Sequence, residues 1–270
     1  MFSRLRRAAG PMIAKNRRSR PVQLARRVAS FIEDSYHNEN LEFATNGESR
    51  VIAALAEAHL ETAFDVGANH GDWSLEALRA WPLTRIHAFE VFPATFARLE
   101  TRLREANVLA RVHANAYGLA DRDGSEQMYY FTDHPDLTCD RPRHESLEAT
   151  PFQAQVMRGD EYVERHHIGR IGFVKIDVEG AEYRVLQGLS RTLAADAIDC
   201  LQFEYGAFSI QTRVMLADYY AMLSARYWIG KIYPSYVDFA DYSWRMEGFR
   251  FANFLAIARS RRDLRRLVEG

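Results

Sequence analysis

A strand that runs straight into a glycine turn and then a helix constrains this chain more than any other feature. Phe64-Asp65-Val66 is followed by Gly67-Ala68-Asn69-His70-Gly71, and Trp73, Leu75 and Leu78 come next with helical spacing. Glycine lets the backbone approach a ligand closely, and the start of a helix offers free N–H groups. The spacing is G-x-x-x-G. A dinucleotide loop needs a third glycine in G-x-G-x-x-G, so a nicotinamide oxidoreductase fits poorly. Asp65, just before the turn, suits a cationic ligand better than a diphosphate.

From residue 47 onward strands and helices alternate, which predicts a mainly parallel sheet with helices on both faces. An amphipathic helix is expected over 49–60, then strands at Thr62–Val66 and Arg85–Glu90. Pro93 opens a helix carrying Phe96, Leu99 and Leu103, and a third strand follows at 110–115. Asp121–Gly124 reads as a turn before a strand at Gln127–Phe131, giving a hairpin. Residues 132–155 are polar and proline-dotted and read as a long loop. Asp160 caps a short helix. Further strands are expected at Gly172–Ile176, Ile198–Phe203, Tyr227–Tyr233 and Phe249–Ala258, with a helix over 212–225. The 270 residues, 47% of them hydrophobic, suffice for one large α/β domain, and no Ser/Gly/Pro-rich linker divides them. The organisation read from this is a basic N-terminal arm with a lead-in helix (1–45), a main domain (46–258) and a basic C-terminal tail (259–270).

Three further positions carry chemistry. Glu90 ends the second strand 19 residues after Gly71, where an acid can take both hydroxyls of a ribose. Glycine turn and acid together favour a nucleoside ligand. The string Phe173-Val174-Lys175-Ile176-Asp177-Val178-Glu179-Gly180-Ala181-Glu182 then places Asp177 and Glu179 at the carboxyl end of a buried strand, where open α/β sheets bind ligands. Lys175 shares a face with Asp177 and needs a partner there, because an unpaired buried charge is costly. Asp177, Glu179 or Glu204 would serve. Glu204, at the end of the next strand, is expected to face the same cleft and to touch substrate. No further ligand spacing supports a metal, so none is assigned.

These segments resemble the FkbM family of methyltransferases. Phe64-Asp65-Val66-Gly67-Ala68-Asn69-x-Gly71, His87-Ala88-Phe89-Glu90, Leu119-Ala120-Asp121-Arg122-Asp123-Gly124 and Val174–Glu182 carry the likeness, which runs from about residue 45 to 258 and includes Asn253–Ile257. Val91 departs from the pattern, where the family usually has proline. The resemblance implies a class I methyltransferase, Rossmann-like fold: a seven-stranded, mostly parallel sheet whose last strand is antiparallel. It implies S-adenosyl-L-methionine as cofactor and a sugar, polysaccharide, lipid or natural-product hydroxyl as acceptor. Carried over by position, Asp65, Gly67, Asn69 and Gly71 line the methionine part, Glu90 holds the ribose, Asn115 and Gly118 border the adenine, and Asp177 sits beside the sulfonium. Asp177, Glu179 and Lys175 form the expected catalytic group, with Asp177 or Glu179 as base.

Charge and composition bound the partners. Residues 1–28 hold nine basic side chains and no acid, although the whole chain has a formal net charge of −1. The arm reads as a solvated, poorly ordered terminus or as a segment that touches an anionic membrane surface or nucleic acid. A nucleic-acid methyltransferase would often show two prolines after the fourth-strand acid, and Asp177-Val178-Glu179 does not. A small-molecule or glycan acceptor is therefore preferred to RNA, and a non-catalytic nucleoside-binding protein is the remaining alternative. Two cysteines, Cys139 and Cys200, are too few for a disulfide framework and point to a reducing, cytoplasmic setting, peripheral to the inner membrane if the arm engages it. The acceptor is expected to meet residues 132–160; Tyr233, Tyr236, Phe239, Tyr242 and Trp244 of the aromatic-rich segment Tyr233–Phe251 could stack on sugar faces or equally serve as core or a dimer interface. The histidines His134, His144, His166 and His167 flank or occupy the irregular region.

Overall fold

The computed structural model describes residues 2–131 and 149–270. His134, Cys139 and His144 fall outside the described residues. The chain divides into two compact units between Asn40 and Leu41. The first holds two helices, α1 (Phe2–Lys15) and α2 (Arg20–Tyr36), where the sequence suggested a poorly ordered arm. Pro21 sits in the first turn of α2, where its missing N–H costs no hydrogen bond.

The second unit begins with α3 (Glu48–Ala54), shorter than the 49–60 expected. Then come β1 (Thr62–Val66), α4 (Asp72–Ala80), β2 (Arg85–Phe89), α5 (Pro93–Glu105) and β3 (Val112–Asn115). Three strands interrupt the alternation: β4 (Gly118–Ala120), β5 (Gly124–Phe131) and β6 (Ala149–Arg158). It resumes with α6 (Gly159–Arg165), β7 (Ile171–Ile176), α7 (Glu182–Gly188), α8 (Ser190–Ala194) and β8 (Ile198–Tyr205). After α9 (Phe208–Thr212) and α10 (Leu216–Leu223) follow β9 (Tyr227–Ile232), β10 (Val237–Phe239), β11 (Ala252–Ala258) and α11 (Arg262–Val268). The helix expected over 212–225 is α10, which starts only at Leu216; the separate α9 before it ends where Arg213 turns left-handed at φ +60°.

The main sheet runs β10-β9-β11-β8-β7-β1-β2-β3. Strands β8, β7, β1, β2 and β3 are parallel, and β11 is antiparallel to both neighbours. This is the expected α/β sheet with its antiparallel last strand, extended by β10 along the β9 edge. Three residues are too few to display an alternation, so β10 was invisible in the sequence.

Strand side chains alternate between two cores. Ala63, Phe173, Cys200 and Leu255 face α3, α4, α5 and α11, and Phe64, Val174, Leu201 and Ala256 face the core that holds residues of α6, α7, α8 and α10. Fully burying one such Leu or Phe is worth about 1.5–3 kcal/mol. Leu264 and Val268 of α11 are fully buried, so the basic C-terminal run docks by one apolar face.

The second sheet, β4-β6-β5, departs from the sequence reading. The expected hairpin across Asp121–Gly124 does not form. Strand β5 pairs antiparallel with β6, and β4 pairs parallel with the other edge of β6. Residues 149–155, read as loop, belong to β6. No helix among the described residues is long and apolar enough to cross a membrane.

Candidate active site

The glycine turn is welded to both neighbouring strands. Gly67 N and Ala68 N donate to Phe89 O at 3.0 and 2.9 Å, and Asp177 N donates to Val66 O at 2.9 Å. Gly67 adopts φ +82°, and a Cβ there would lie 1.8 Å from Asp177 O. Only glycine fits this crossing. Arg102 of α5 braces the outer side, donating to His70 O at 2.8 Å and to Asp72 Oδ1 at 2.7 Å.

A cleft of about 260 Å³ opens above the turn, at the carboxyl ends of β1, β2 and β7. Of the residues singled out in the sequence, Gly67, Asn69, Glu90, Gly118, Lys175, Asp177 and Glu179 line it. Asp65, Gly71, Asn115 and Glu204 do not. Asp65 is fully buried, facing α4, where Ser74 Oγ donates to it at 2.6 Å. Gly71 supplies the left-handed step, φ +84°, that starts α4. Asn115 is buried and ties strand ends together, its Nδ2 donating to Ala88 O and His113 O at 3.1 Å and to Tyr162 Oη at 3.3 Å. Glu204 is buried beside Asp177, and burial first, then that neighbouring carboxylate, push its pKa well up. No residue of Tyr233–Phe251 lines the cleft. From 149–160 Val156 does so. Among the described residues no group of His, Cys, Asp and Glu is arranged to hold a metal ion.

Lys175 organises the floor. Its Nζ donates to Asp177 Oδ2 at 3.1 Å and lies 3.6 Å from Asp65 Oδ1. Burial alone would pull its pKa down, but Asp177, Asp65 and Glu48 outweigh that and the net direction is upward. Lys175 is therefore a cation and no proton acceptor. Asp65 and Glu48 are both displaced upward by burial, against the attraction of Lys175. The side chain of Asp177 is 41% exposed, whereas those of Lys175 and Asp65 are 9% and 0% exposed.

Two other acids fasten backbone. Glu90 accepts from Asn69 N at 3.0 Å and Phe92 N at 2.8 Å, locking the end of β2 to the glycine turn. Burial raises its pKa to about 7. Glu182 accepts from Val178 N at 3.1 Å and Gly180 N at 3.0 Å, holding the turn in which Glu179 takes φ +58°. Burial raises Glu182 to about 7 as well.

The sequence reading missed Glu48. It lies in the first turn of α3, is 7% exposed, lines the cleft, and accepts from Asn46 at 2.6 Å, from Asn253 at 3.1 Å and from Gln202. The triplet Asn46-Gly47-Glu48 before an apolar run was the available signal. Arg184 of α7 was also missed. It lines the cleft and bonds both Asp121 and Glu126, fastening the small sheet to α7.

The family model described as the methyltransferase FkbM domain matches residues 65–227, more than half of the chain. The chain belongs to the FkbM methyltransferase family. It is 29% identical over 156 residues to the 31-O-demethyl-FK506 methyltransferase FkbM of Streptomyces tacrolimicus, covering 48% of this chain and 59% of that protein. It is 30% identical over 149 residues to the hexuronic acid methyltransferase AglP of Haloferax volcanii, covering 54% and 58%. The match thus spans less than two thirds of either relative. A crystal structure of a methyltransferase FkbM from Methylobacillus flagellatus KT aligns with TM-score 0.47 at 17% identity, over 74% of this chain and 44% of that one.

The FkbM cleft fits the S-adenosylmethionine that the sequence resemblance implies. Glu48 and Asp177 line the cleft and Asp65 lies beneath it, three carboxyl groups around the single ammonium of Lys175, an acidic floor suited to a ligand that carries a positive charge. Gly118 and Val91 line one wall of the cleft and pack closely, since a Cβ on Gly118 would come 2.8 Å from Val91 Cγ1. Trp73 and His70, both lining the cleft, each keep a buried ring nitrogen with no hydrogen-bond partner among the described residues.

Proposed function

We propose that this protein transfers a methyl group from S-adenosylmethionine to a hydroxyl of a sugar, polysaccharide, lipid or other natural product. The observation that carries the reading is Asp177: the half-exposed acid on the cleft floor, fixed at 3.1 Å by a buried lysine. The named activities of the two relatives support methyl transfer, and their acceptors differ from each other, which leaves the acceptor class broad.

In this reading the turn Gly67–Asn69 holds the methionine portion, Glu90 takes the ribose hydroxyls, and Gly118 with Val91 borders the adenine. The bound cofactor supplies a methyl group already activated by its sulfonium. Asp177 accepts the proton of the acceptor hydroxyl as that oxygen attacks. Lys175 is a positioning residue, orienting Asp177 and compensating Asp65. Glu179 flanks the acceptor from the left-handed turn. The apolar side chains of Val66, Phe89 and Leu119 line the cleft and exclude water, while alignment of the reactants supplies most of the acceleration.

Purified protein is incubated with labelled S-adenosylmethionine and separated glycan, lipid, small-molecule and RNA fractions. Label in a hydroxyl-bearing glycan, lipid or small molecule is expected, and label in RNA alone overturns the reading. Asp177→Asn is expected to lower turnover at least about a hundredfold with cofactor affinity unchanged. Full turnover in that variant removes Asp177 as the base.

A further inference from the structure

Helix α2 buries none of its residues, although one side of it is apolar. At about 100° per residue, Leu24, Val28, Phe31, Ile32 and Tyr36 fall within an arc of about 140°, with Gln23 and Arg26 on the opposite side and Arg20 and Arg27 along one edge of the arc. The apolar side is open: Leu24 is 63% exposed, Phe31 71% and Ile32 60%. In α1, Met12 and Ile13 are exposed in the same way, at 64% and 51%. The segment 1–28 adds nine basic side chains with no acid among them.

Both properties have to be met by one partner. A second copy of this segment would set nine cations against nine, and the apolar arc is much broader than a coiled-coil seam. A nucleic acid would neutralise the arginines but leave Leu24, Val28, Phe31 and Ile32 in water. An anionic lipid surface takes both. Arginines sit at the level of the phosphates, and the apolar arc enters the boundary between headgroups and acyl chains. We propose that α2, assisted by α1, is an interfacial anchor that lies in the plane of an anionic lipid surface.

The test is co-sedimentation of the full chain with vesicles of phosphatidylcholine containing phosphatidylglycerol, and with phosphatidylcholine alone. Binding to the anionic vesicles, weakened by salt, is expected, with little binding to the neutral ones. The exposed pair Phe31→Ser and Ile32→Ser is expected to lower the partition at least about tenfold. The pair Arg26→Gln and Arg27→Gln is expected to lower it about thirtyfold. No binding to anionic vesicles overturns the proposal, and so does binding that the serine pair leaves unchanged. Tight RNA binding that survives the serine pair, with no vesicle binding, assigns the arm to nucleic acid instead. Far-ultraviolet circular dichroism matching the parent confirms that each variant keeps its helices.

Discussion

Lys175 Nζ lies 3.6 Å from Asp65 Oδ1 and joins β7 to β1 beneath the glycine turn. Both side chains are buried, so the ammonium is the main compensation for a carboxylate that water cannot reach. Lys175→Met is expected to destabilise the protein by about 3–5 kcal/mol, because it strands Asp65 as a buried, uncompensated acid. Urea unfolding measures this. The double variant Lys175→Met with Asp65→Asn should recover part of the loss, since the two sites share one interaction. A single variant as stable as the parent would show that the pair has no structural weight.

The crossing of Gly67 and Asp177 leaves no room for a side chain. Gly67→Ala combines a clash with backbone and a left-handed φ that alanine disfavours, so a loss of about 2 kcal/mol or more is expected, together with cofactor binding. A Cβ on Gly169 would meet nothing within 4 Å, and the φ of that residue is not left-handed. Gly169→Ala is therefore the control and should leave thermal unfolding and ligand binding near the parent. Equal behaviour of the two variants by calorimetry would refute the argument.

Glu90 gives the protein a pH signature. Burial lifts it from 4.5 to about 7, and Glu182 likewise. Between those values the folded chain keeps protons that the unfolded chain has released. The stabilisation is full below about pH 4.5 and is lost as pH rises through about 7. The thermal unfolding midpoint of the cofactor-free protein is expected to decrease between about pH 5.5 and about pH 8, and Glu90→Gln should flatten part of that decrease. In the role proposed for Glu90, ribose hydroxyls would donate to its carboxylate form, so cofactor affinity should rise over the same window. A parent whose midpoint and affinity are both flat across it would count against Glu90 in this role.

The local parts of the site were legible because each is a short run whose chemistry survives without its surroundings. The turn at Gly67, the acid at Glu90 and the string around Lys175 and Asp177 all lie at strand ends, and the cleft gathers them. What strand position alone could not decide was facing. Asp65 and Asn115 sit one step from the cleft and turn to Ser74 and Tyr162 instead. Glu48 was hidden for a different reason. Its place depends on Gln202 and Asn253, more than 150 residues away in sequence. Strand β6 was concealed by Pro151 and the polar run before it, although Phe152, Ala154 and Val156 alternate with Gln153 and Gln155.

The β4-β6-β5 sheet contributes Gly118, Met128 and Val156 to one wall of the cleft, yet shares no ladder with the sheet that carries Asp177. Wall and floor thus belong to separate hydrogen-bonded sheets, joined by Arg184, by Leu119 in the shared core and by the stacked rings of Phe92 and Tyr130. Exchanges of side chains along β5 and β6 can recontour the opening while the floor keeps its register. A scaffold divided in this way can change the shape of the cleft mouth by a few substitutions on the small sheet, without rebuilding the floor around Lys175 and Asp177.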